Sequence, residues 1–382
     1  MLTQENLLFL KRCFDVGRLG VSTSPNPSVG SIIVSADGRI IGEGFTSPYG
    51  GSHAEVKAVA SVKKNDRPLL PTATIYVTLE PCSHFGQTPP CVDLIIREKI
   101  AHVVIAFLDP NPLVAGRSVT KLREKGVQVQ IYNSNNLLNY KNTEGVEGFQ
   151  KSINYNNSQL ENGKIRTLIC FLTNIIKKRP YIILKWAQSA DGFIGQPQKR
   201  IHITNNFTKK IVHKWRSEVD AIMVGTTTAE VDNPELTNRL YYGKSPIRVV
   251  LDKNGRLSPN LKIFDGTVKT LIFTEKNLKK DLEKNENRGG VNNVEYHEIG
   301  FDESLLESLL DVLQAQKIGV LFVEGGEKLL SNFIERGLWD EARVFTAKKT
   351  LGTGIHAPRL IQSTLYETLQ IEEDTLRIFR PA

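Results

Sequence analysis

Apolar and polar residues alternate along the second half of the chain in blocks that predict strands and helices in turn. Five apolar runs, most of them rich in β-branched residues, predict strands at Tyr181–Lys185, Ala221–Gly225, Ile247–Leu251, Thr270–Thr274 and Val320–Val323. Apolar residues at helical spacing predict helices at Thr208–Ser217, Ser304–Gln314 and Lys328–Arg336. Strands that alternate with helices favour a mainly parallel sheet covered on both faces, so we expect an α/β fold.

The first half of the chain has a separate α/β pattern. The run Thr72–Leu79 predicts a strand that Pro81 ends, and Cys82 falls at a turn where a helix is expected to begin. The segment Ala54–Val62 and the segment that follows Cys91 both have the apolar spacing of amphipathic helices. No internal repeat is evident, so the two halves are predicted to be different domains.

A polar segment lies between the two patterns. From Asn133 to Lys164 the sequence is rich in Asn, Lys, Glu and Ser and lacks a sustained apolar period, and the pattern returns at Leu168. This composition predicts a linker with some irregular helix. Two domains are also the natural expectation for a chain of 382 residues.

Composition and charge favour a cytoplasmic enzyme that acts on a small anionic molecule. The net charge of +8 comes from basic residues scattered along the chain, whereas a nucleic-acid-binding surface would need them clustered on one face. The sequence has no secretory signal pattern, and no apolar stretch approaches the roughly 20 residues that span a bilayer. Four cysteines, two of them with metal-ligand context, indicate a reducing compartment without a disulfide framework.

One group of residues in the first half is typical of a zinc enzyme. His53, Cys82 and Cys91 supply an imidazole and two thiolates, and three protein ligands leave the fourth position of zinc open for water. Such a water ionises near neutral pH and becomes a nucleophile. Glu55 need not contact the metal and is placed to carry protons, as in the zinc nucleobase deaminases. One zinc ion per chain is therefore predicted.

Each of these residues taken alone has a simpler interpretation. His53 would be a satisfied surface histidine and the cysteines small buried hydrophobes, which is how we interpret Cys13 and Cys170. Another interpretation makes the zinc a structural staple and the second domain an interaction module. The order His-x-Glu, Pro-Cys and Cys between predicted elements favours the catalytic interpretation.

Three features of the second half indicate a ligand at the carboxyl ends of its strands. Val323–Leu329 is an apolar strand that ends in a Gly-Gly turn before a helix, where free backbone N–H groups suit a phosphate. Lys185–Gly192 is a strand that runs into an Asp-Gly turn. Arg216 and Asp220–Arg239 bring hydroxyls, a carboxylate and an arginine to one end of the sheet. The Gly-x-Gly-x-x-Gly fingerprint is missing, so an ordinary Rossmann domain is not indicated.

The loop between the two zinc cysteines and its surroundings resemble one enzyme family. Base-acting deaminases usually have Pro-Cys-x-x-Cys, but here the longer loop Ser83–Pro90 separates the cysteines. With Asn26–Gly30 upstream and Asp109–Gly116 downstream, the chain from about Leu7 to about Val129 resembles the deaminase domain of the bifunctional riboflavin-biosynthesis deaminase/reductases. This resemblance implies a cytidine-deaminase-like α/β/α zinc domain.

The second half resembles the reductase domain of the same family, which has a dihydrofolate-reductase-like α/β fold. The resemblance extends from about Arg179 to Arg380. It implies a deaminase domain at 1–140, a linker at 141–178 and a reductase domain at 179–382.

The resemblance implies two consecutive steps of riboflavin synthesis on one polypeptide. The deaminase would hydrolyse the 2-amino group of 2,5-diamino-6-ribosylamino-4(3H)-pyrimidinone 5′-phosphate. The reductase would then use NADPH to reduce the ribosyl side chain, giving 5-amino-6-ribitylamino-uracil 5′-phosphate. The implied partners are a phosphorylated pyrimidine and further copies of the chain in a homo-oligomer, with no nucleic acid and no membrane.

Site residues follow from the resemblance position by position. Glu55 would be catalytic, and His53, Cys82 and Cys91 would be the zinc ligands. The positions that match substrate contacts are Asn26, His84, Asp109 and Asn111 in the deaminase and Arg200, Arg216, Leu236, Arg239 and Glu324 in the reductase. The positions that match NADPH contacts are Ala187, His202, Thr228, Asp232, Gly326, Glu327, Lys328, Leu329, Leu330, Ser331 and Asn332.

Several positions depart from the residues that are usual in the family. Thr46 stands in place of a histidine, His202 in place of a tryptophan, and Ala190 in place of a leucine. Gln87 stands in place of a Lys or Arg that would face the substrate phosphate. Losing one charge-assisted hydrogen bond to phosphate costs about 1.5–3 kcal/mol, or roughly tenfold to a hundredfold in affinity.

Alternatives to the two-step assignment stay open. In one, only the reductase step is efficient, because the departures weaken substrate binding by the deaminase. In another, the chain is a nucleic-acid base deaminase, which would need a basic surface with aromatic residues for the strand. Arg216 and Arg239 have the simpler interpretation of surface salt-bridge residues. Asp191 and Asp232 are candidates for the acid of the reduction.

Overall fold

The chain forms two compact units, which are Met1–Lys178 and Arg179–Ala382. The computed structural model describes residues 3–20, 23, 26–85, 89–109, 115–132, 166–197, 199, 201–275 and 293–382. The polar segment 133–164, predicted to be a linker, lies outside the described residues. Within the described part of the chain, no helix is both long enough and apolar enough to cross a membrane.

Unit 1, Met1–Lys178, is built around a five-stranded sheet with strand order β2-β1-β3-β4-β5. Its strands are β1 Gly30–Val34, β2 Ile40–Phe45, β3 Thr74–Leu79, β4 His102–Phe107 and β5 Gln128–Ile131. Its described helices are α1 Gln4–Gly17, α2 Ala54–Ser61, α3 Cys91–Arg97, α4 Arg117–Glu124 and α5 Arg166–Lys177, with a 3₁₀ helix at Arg67–Thr72. Strand β1 is antiparallel to β2 and β3, whereas β3, β4 and β5 run parallel. The central strands are almost wholly buried, which explains their continuous apolar sequences.

Two glycines of β2 let helix α2 approach the sheet closely. A Cβ atom at Gly44 would lie 2.2 Å from the backbone oxygen of Ala54, and one at Gly42 would lie 2.4 Å from that of Ala58. Any side chain at these positions would therefore push the helix away from the strand. The close approach fixes the helix that begins directly after His53.

Helix α5 belongs to unit 1, although it lies within the segment 141–178 that the sequence predicts to be a linker. Its apolar side chains at Leu168, Ile169, Cys170 and Leu172 are buried and attach the helix to the unit. The apolar pattern that returns at Leu168 is therefore that of an amphipathic helix rather than of an irregular connection.

Unit 2, Arg179–Ala382, is built around a nine-stranded sheet with strand order β11-β10-β9-β8-β12-β6-β13-β16-β15. Its strands are β6 Tyr181–Gln188, β7 Phe193–Gly195, β8 Ala221–Val224, β9 Ile247–Leu251, β10 Thr270–Thr274, β11 Val294–Glu298, β12 Val320–Val323, β13 Glu341–Thr346, β14 Ile355–His356, β15 Ser363–Ile371 and β16 Asp374–Pro381. Its described helices are α6 Asn206–Ser217, α7 Thr226–Asp232, α8 Leu305–Ala315 and α9 Glu327–Glu335, with a 3₁₀ helix at Lys262–Phe264. Strands β7 and β14 pair separately from the large sheet.

The large sheet is parallel over most of its width, as the alternating pattern predicts. Neighbouring strands from β11 to β13 run parallel, and the three predicted helices begin and end within two residues of their predicted bounds. Strands β13, β16 and β15 form an antiparallel edge that the pattern does not predict. Most of β15 is exposed, so its sequence lacks the apolar run that marks a buried strand.

A buried ion pair fixes the point at which β6 and β13 begin. Arg179 donates from both terminal nitrogens to the carboxylate of Asp340, at 2.6 and 3.0 Å. The same carboxylate accepts from the backbone N–H of Ile182 at 2.9 Å. Because Arg179 and Asp340 come shortly before two neighbouring parallel strands, their pair joins the amino ends of those strands.

We expect Asp340→Ala to lower the free energy of unfolding of unit 2 by about 3–5 kcal/mol, because Arg179 would keep a buried charge without its partner. The protein's tryptophans are Trp186, Trp215 and Trp339, which all lie in unit 2. Intrinsic fluorescence during urea unfolding therefore measures the stability of this unit.

Glu307→Ala is the matched control for this measurement. Glu307 pairs with Arg336, and the two side chains are 48% and 33% exposed, so their pair should contribute no more than about 1 kcal/mol. Equal losses of stability in the two variants would contradict a structural role for the buried pair.

Candidate functional site

Three side chains of unit 1 bring one nitrogen and two sulfurs together. His53 lies directly before α2, Cys82 lies in the loop after β3, and Cys91 is the first residue of α3. Nδ1 of His53 lies 3.5 Å from Sγ of Cys82 and 3.3 Å from Sγ of Cys91. The three atoms all lie within 4.8 Å of one another. The structure therefore brings together the three residues that the sequence motif proposes as metal ligands.

The helix expected to begin at Cys82 is absent from the described residues, and that expectation is wrong. Cys82 lies in a loop, and the helix begins at Cys91 instead. Pro90 is its N-cap residue and has an extended backbone, with φ −58° and ψ 135°. The residue directly before a proline is sterically disfavoured from adopting helical backbone angles. Pro89 is such a residue, because Pro90 follows it, and α3 begins only after Pro90.

The donor set fits zinc. An imidazole nitrogen and thiolate sulfurs are ligands that zinc prefers, and three of them make an open site rather than a closed structural one. A side-chain hydrogen bond from Cys91 lowers the pKa of the Cys82 thiol, and the backbone N–H of Cys91 donates to the same sulfur at 3.3 Å. The thiolate is the form that binds metal, so these hydrogen bonds favour the ligand state of Cys82. The same side-chain hydrogen bond, and then burial, raise the pKa of the Cys91 thiol, so Cys91 loses its proton when the metal binds.

Glu55 lies on α2, two residues beyond His53, with 4% of its surface exposed. Burial, and then the negative charge of Cys82, raise its pKa to about 7. A carboxyl group with a pKa near neutrality both accepts and releases protons under working conditions. This is the property that a proton carrier needs, and it arises from the surroundings rather than from the residue type.

A cavity of about 400 Å³ lies at these residues. His53, Glu55 and Cys82 line it. So do three of the positions that match substrate contacts, which are Asn26, His84 and Asp109. Thr46 also lines it, and its hydroxyl accepts from the backbone N–H of Val29 at 3.0 Å. Asn111 and Gln87 lie outside the described residues.

Glu80 is a buried residue that the sequence pattern did not single out. Its carboxylate accepts from the backbone N–H groups of Asp109 and Gly116, at 3.2 and 3.0 Å, and from the hydroxyl of Ser118. It therefore ties the end of β3 to the start of α4 and to the loop that carries Asp109. A glutamate directly before the Pro-Cys pair, at the end of an apolar strand, was the available signal for this role.

Unit 2 contains a larger cavity, of about 1070 Å³, at the carboxyl ends of its parallel strands. Most of the positions that match NADPH contacts line this cavity. They are Ala187, His202, Thr228, Asp232, Gly326, Glu327, Lys328, Leu329, Leu330 and Asn332. The residues from the positions that match substrate contacts are Arg216, Leu236, Arg239 and Glu324. Ser331 is not among the lining residues and donates instead to Glu327 at 2.7 Å, and Arg200 lies outside the described residues.

Two helices begin at this cavity after glycine residues. Gly225 precedes α7 and Gly326 precedes α9, and neither helix has a side-chain cap. Gly326 has a φ of +69°, which favours glycine, and a Cβ atom there would lie 3.2 Å from Oγ1 of Thr228. Since no side chain caps the two helix starts, their backbone N–H groups can bind an anion.

Glu324 follows β12 and forms a buried ion pair at the cavity. Arg216 donates to both of its oxygens at 2.9 and 2.8 Å, and Nζ of Lys185 lies 3.9 Å from Oε2. Burial alone would raise the pKa of Glu324, but Arg216 and then Lys185 outweigh it and lower that pKa to about 2. The Arg216 side chain is 12% exposed, so this is a buried pair and not the surface pair of the simpler interpretation.

Arg239 has a different environment from Arg216. Its side chain is 48% exposed and donates to Glu235 at 2.6 Å and to the hydroxyl of Thr237 at 2.9 Å. The pair with Glu235 is an exposed one, as the simpler interpretation supposes, yet Arg239 also lines the cavity. The nearby Leu236 is buried and has a φ of +54°, a strained backbone for a branched residue that the surrounding segment holds in place.

His213 is a second residue that the sequence pattern did not single out. Its Nδ1 accepts from the backbone N–H of Arg239 at 3.0 Å, which ties α6 to the segment Leu236–Arg239. Burial, and then the charges of Arg216 and Arg239, lower its pKa to about 4. The imidazole is therefore neutral at physiological pH, with its proton on Nε2.

Asp191 bonds to a neighbouring loop and is not among the residues that line the cavity of unit 2. It accepts from the backbone N–H groups of Leu351 and Gly352, at 3.1 and 2.7 Å, and from the hydroxyl of Ser189. The bond from Ser189 and those backbone bonds lower its pKa to about 2. Of the two candidates for an acid, Asp232 alone lines the cavity.

Comparisons with known proteins match both units. The family described as the RibD C-terminal domain matches residues 180–379, and the cytidine and deoxycytidylate deaminase zinc-binding region matches residues 3–107. The riboflavin biosynthesis protein RibD of Aquifex aeolicus is 35% identical over 355 residues, which cover 92% of this chain and 89% of the relative. The protein of the same name from Actinobacillus pleuropneumoniae is 34% identical, with coverage of 92% and 85%.

Solved structures give the same result for the fold. A diaminohydroxyphosphoribosylaminopyrimidine deaminase/5-amino-6-(5-phosphoribosylamino)uracil reductase from Thermotoga maritima has a TM-score of 0.81 and 31% identity, and the match covers 99% of both chains. RibD of Acinetobacter baumannii has a TM-score of 0.81, 27% identity and the same coverage. These matches confirm the predicted fold class, a cytidine-deaminase-like zinc domain followed by a dihydrofolate-reductase-like domain.

We expect the purified protein to contain about one zinc ion per chain and the variants His53→Ala and Cys91→Ser to contain almost none, because two ligands do not hold the ion. Zinc content is measured by atomic emission after dialysis. Cys13→Ala is the control, because Cys13 is buried elsewhere, with its Sγ 3.4 Å from the backbone oxygen of Tyr76. Loss of zinc from that variant too would show that the metal is lost through unfolding.

Proposed function

This chain belongs to the RibD family of bifunctional riboflavin-biosynthesis deaminase/reductases, and we propose from that premise which of its residues carry each reaction. Unit 1 contains the zinc-dependent deaminase, and unit 2 contains the NADPH-dependent reductase. The observation that carries the first assignment is the group of one imidazole and two sulfurs beside a buried carboxyl group.

In the deamination, the 2-amino group of the diaminopyrimidine phosphate is replaced by oxygen and leaves as ammonia. His53, Cys82 and Cys91 would hold zinc, which when bound supplies a nucleophilic water near neutral pH. Glu55 would take one proton from the attacking water and pass it to a ring nitrogen, and it would then transfer the second proton of that water to the departing amine. A pKa of about 7 suits both halves of this transfer.

The substrate of unit 1 is proposed to contact polar residues around the cavity. Asn26, His84 and Asp109 line it, and they supply an amide, an imidazole and a carboxylate for the edge of the pyrimidine and for the ribose phosphate. On the basis of the family resemblance, Asn111 is proposed as a further contact of the same substrate. Glu80 supports this set, because it holds the backbone N–H of Asp109.

NADPH is proposed to bind at the helix starts in unit 2, and when bound it supplies the hydride that reduces the ribosyl carbon. The uncapped N–H groups after Gly225 and Gly326 suit its phosphates. The proposed contact set consists of Ala187, His202, Thr228, Asp232 and residues 326–332. Of these, Ser331 is the residue that donates to Glu327 and is not among the lining residues.

The substrate of unit 2 is proposed to bind beside Leu236, with Arg239 at its phosphate. Arg239 lines the cavity and keeps most of its donors, whereas the planar fork of Arg216 already bonds to Glu324. We therefore propose that Arg216 keeps Glu324 ionised and in place, so that its carboxylate can accept hydrogen bonds from sugar hydroxyls. Arg200 is proposed as a further contact by the resemblance alone.

The remaining expectations stay predictions. A phosphorylated pyrimidine is the small-molecule partner that family membership supports. Self-association into a homo-oligomer and a cytoplasmic location rest on the resemblance and on composition. Similarity across both halves of the chain favours the two-step enzyme over a nucleic-acid base deaminase, which would give the second domain no role.

We expect Glu55→Gln to slow ammonia release from the diamino substrate by about 10²–10⁴-fold, because the amide cannot carry the proton. Zinc content should stay at the wild-type level, because Glu55 is not a ligand. A colorimetric ammonia assay measures the first step, and NADPH absorbance measures the second. Ammonia release at the wild-type rate would exclude Glu55 as the proton carrier.

The two substrates should be supplied separately in this experiment. Glu55→Gln should oxidise NADPH at the wild-type rate with the deaminated substrate and should not do so with the diamino substrate. Wild-type protein that reduces only the deaminated substrate and releases no ammonia would establish the reductase-only alternative.

We expect Arg239→Ala to raise the KM for the deaminated phosphate substrate by roughly tenfold to a hundredfold, which is the effect of one lost charge-assisted bond. The KM for NADPH should change little. Arg216→Ala should instead lower kcat, because Glu324 would lose its partner. Arg336→Ala, an arginine outside the cavity, is the control, and an equal rise in KM there would contradict a specific role for Arg239.

A further inference from the structure

Helix α5 contributes part of the wall of the cavity in unit 1. Phe171 and Ile175 line this cavity together with His53 and Cys82, two of the three candidate metal ligands. They lie four residues apart on the helix, so their side chains lie on the same face. A segment that the sequence predicts to be a linker therefore reaches the deaminase site.

The burial along α5 separates residues that attach the helix from residues that face the cavity. Leu168, Ile169 and Leu172 are between 1% and 4% exposed and fix the helix to unit 1. Phe171 and Ile175 are only half-buried. Since other residues anchor the helix, these two side chains are free to contact a ligand in the cavity.

The rest of the cavity is polar where the chemistry occurs. His53, Glu55, Cys82 and Asp109 supply charged or polar groups, which suit the nitrogen and oxygen atoms at the edge of an aminopyrimidine. The faces of that flat ring have no such atoms and bind best to apolar or aromatic surface. Phe171 supplies an aromatic hydrocarbon ring in the wall, whereas Tyr49, which also lines the cavity, is 46% exposed.

We propose that Phe171 is a substrate-binding residue of the deaminase, with its ring against the face of the aminopyrimidine and Ile175 beside it. The polar residues then contact the edge of the substrate, and α5 sets the width of the cavity. The functional deaminase domain therefore extends through Lys177 and does not end at residue 140. This proposal rests on the deaminase function proposed for unit 1.

Three substitutions of Phe171 test the proposal. Phe171→Ala should raise the KM for the diamino substrate by about 5- to 100-fold, as for other lost contacts between an aromatic side chain and a base. Phe171→Tyr keeps the ring and should stay near the wild-type KM. Phe171→Leu keeps apolar volume without the ring and should lie between them. Ile176→Ala is the matched control, because Ile176 is half-buried on the same helix but does not line the cavity.

Two further measurements separate binding from folding. Each variant is also made with Glu55→Gln, and its affinity for the unreacted diamino substrate is measured by calorimetry. Zinc content and NADPH oxidation with the deaminated substrate should equal those of the unsubstituted protein in every variant. The conservative Leu variant tests the proposal even if the Ala variant does not fold.

The outcomes distinguish this proposal from the proposed function. If the wild-type protein releases ammonia but Phe171→Leu and Phe171→Tyr bind the diamino substrate equally well, the aromatic contact is wrong and the deaminase function stands. If Ile176→Ala weakens binding as much as Phe171→Ala, the helix has only a structural role. If the wild-type protein releases no ammonia, both proposals fail.

Discussion

Removing a carboxylate from water is the constraint that both cavities share. A buried ionised carboxyl group is costly unless cations or hydrogen-bond donors compensate its charge. Unit 2 places Arg216 and Lys185 beside Glu324, whose pKa falls to about 2. Unit 1 buries Glu55 next to the sulfur of Cys82, and its pKa rises to about 7. The same type of side chain is thus a fixed charge in one unit and, in the mechanism that we propose, a proton carrier in the other, and its neighbours set the difference.

The features that the sequence predicted well are those encoded by short stretches of chain. Strands β9, β10 and β12 have the predicted bounds because buried parallel strands are continuous apolar runs. The candidate ligands His53 and Cys91 lie at helix starts, and those helices have clear apolar spacing in the sequence. The residue types and their order were therefore enough to predict that the imidazole and the two sulfurs come together.

The features that the sequence did not predict depend on contacts between distant segments. Glu80 accepts hydrogen bonds from Gly116 and Ser118, and His213 accepts one from Arg239. No periodicity in the chain relates such positions, because only the folded topology brings them together. Helix α5 was obscured for another reason, since the polar residues 133–164 precede it and give the whole region the composition of a linker. The edge strand β15 is largely exposed and lacks a buried strand's signature.

The attachment of α5 to unit 1 also determines when the cavity wall becomes complete during translation. During translation the five strands of the first sheet are all synthesised by Ile131, yet α5 ends only at Lys177. A nascent chain that has emerged as far as the last strand lacks two of the side chains that line its cavity. Premature termination, or a gene split at residue 140, would leave the amino-terminal product without the two side chains of α5 that line the cavity. A split after Lys177 would keep Phe171 and Ile175 in the same product as the rest of the cavity.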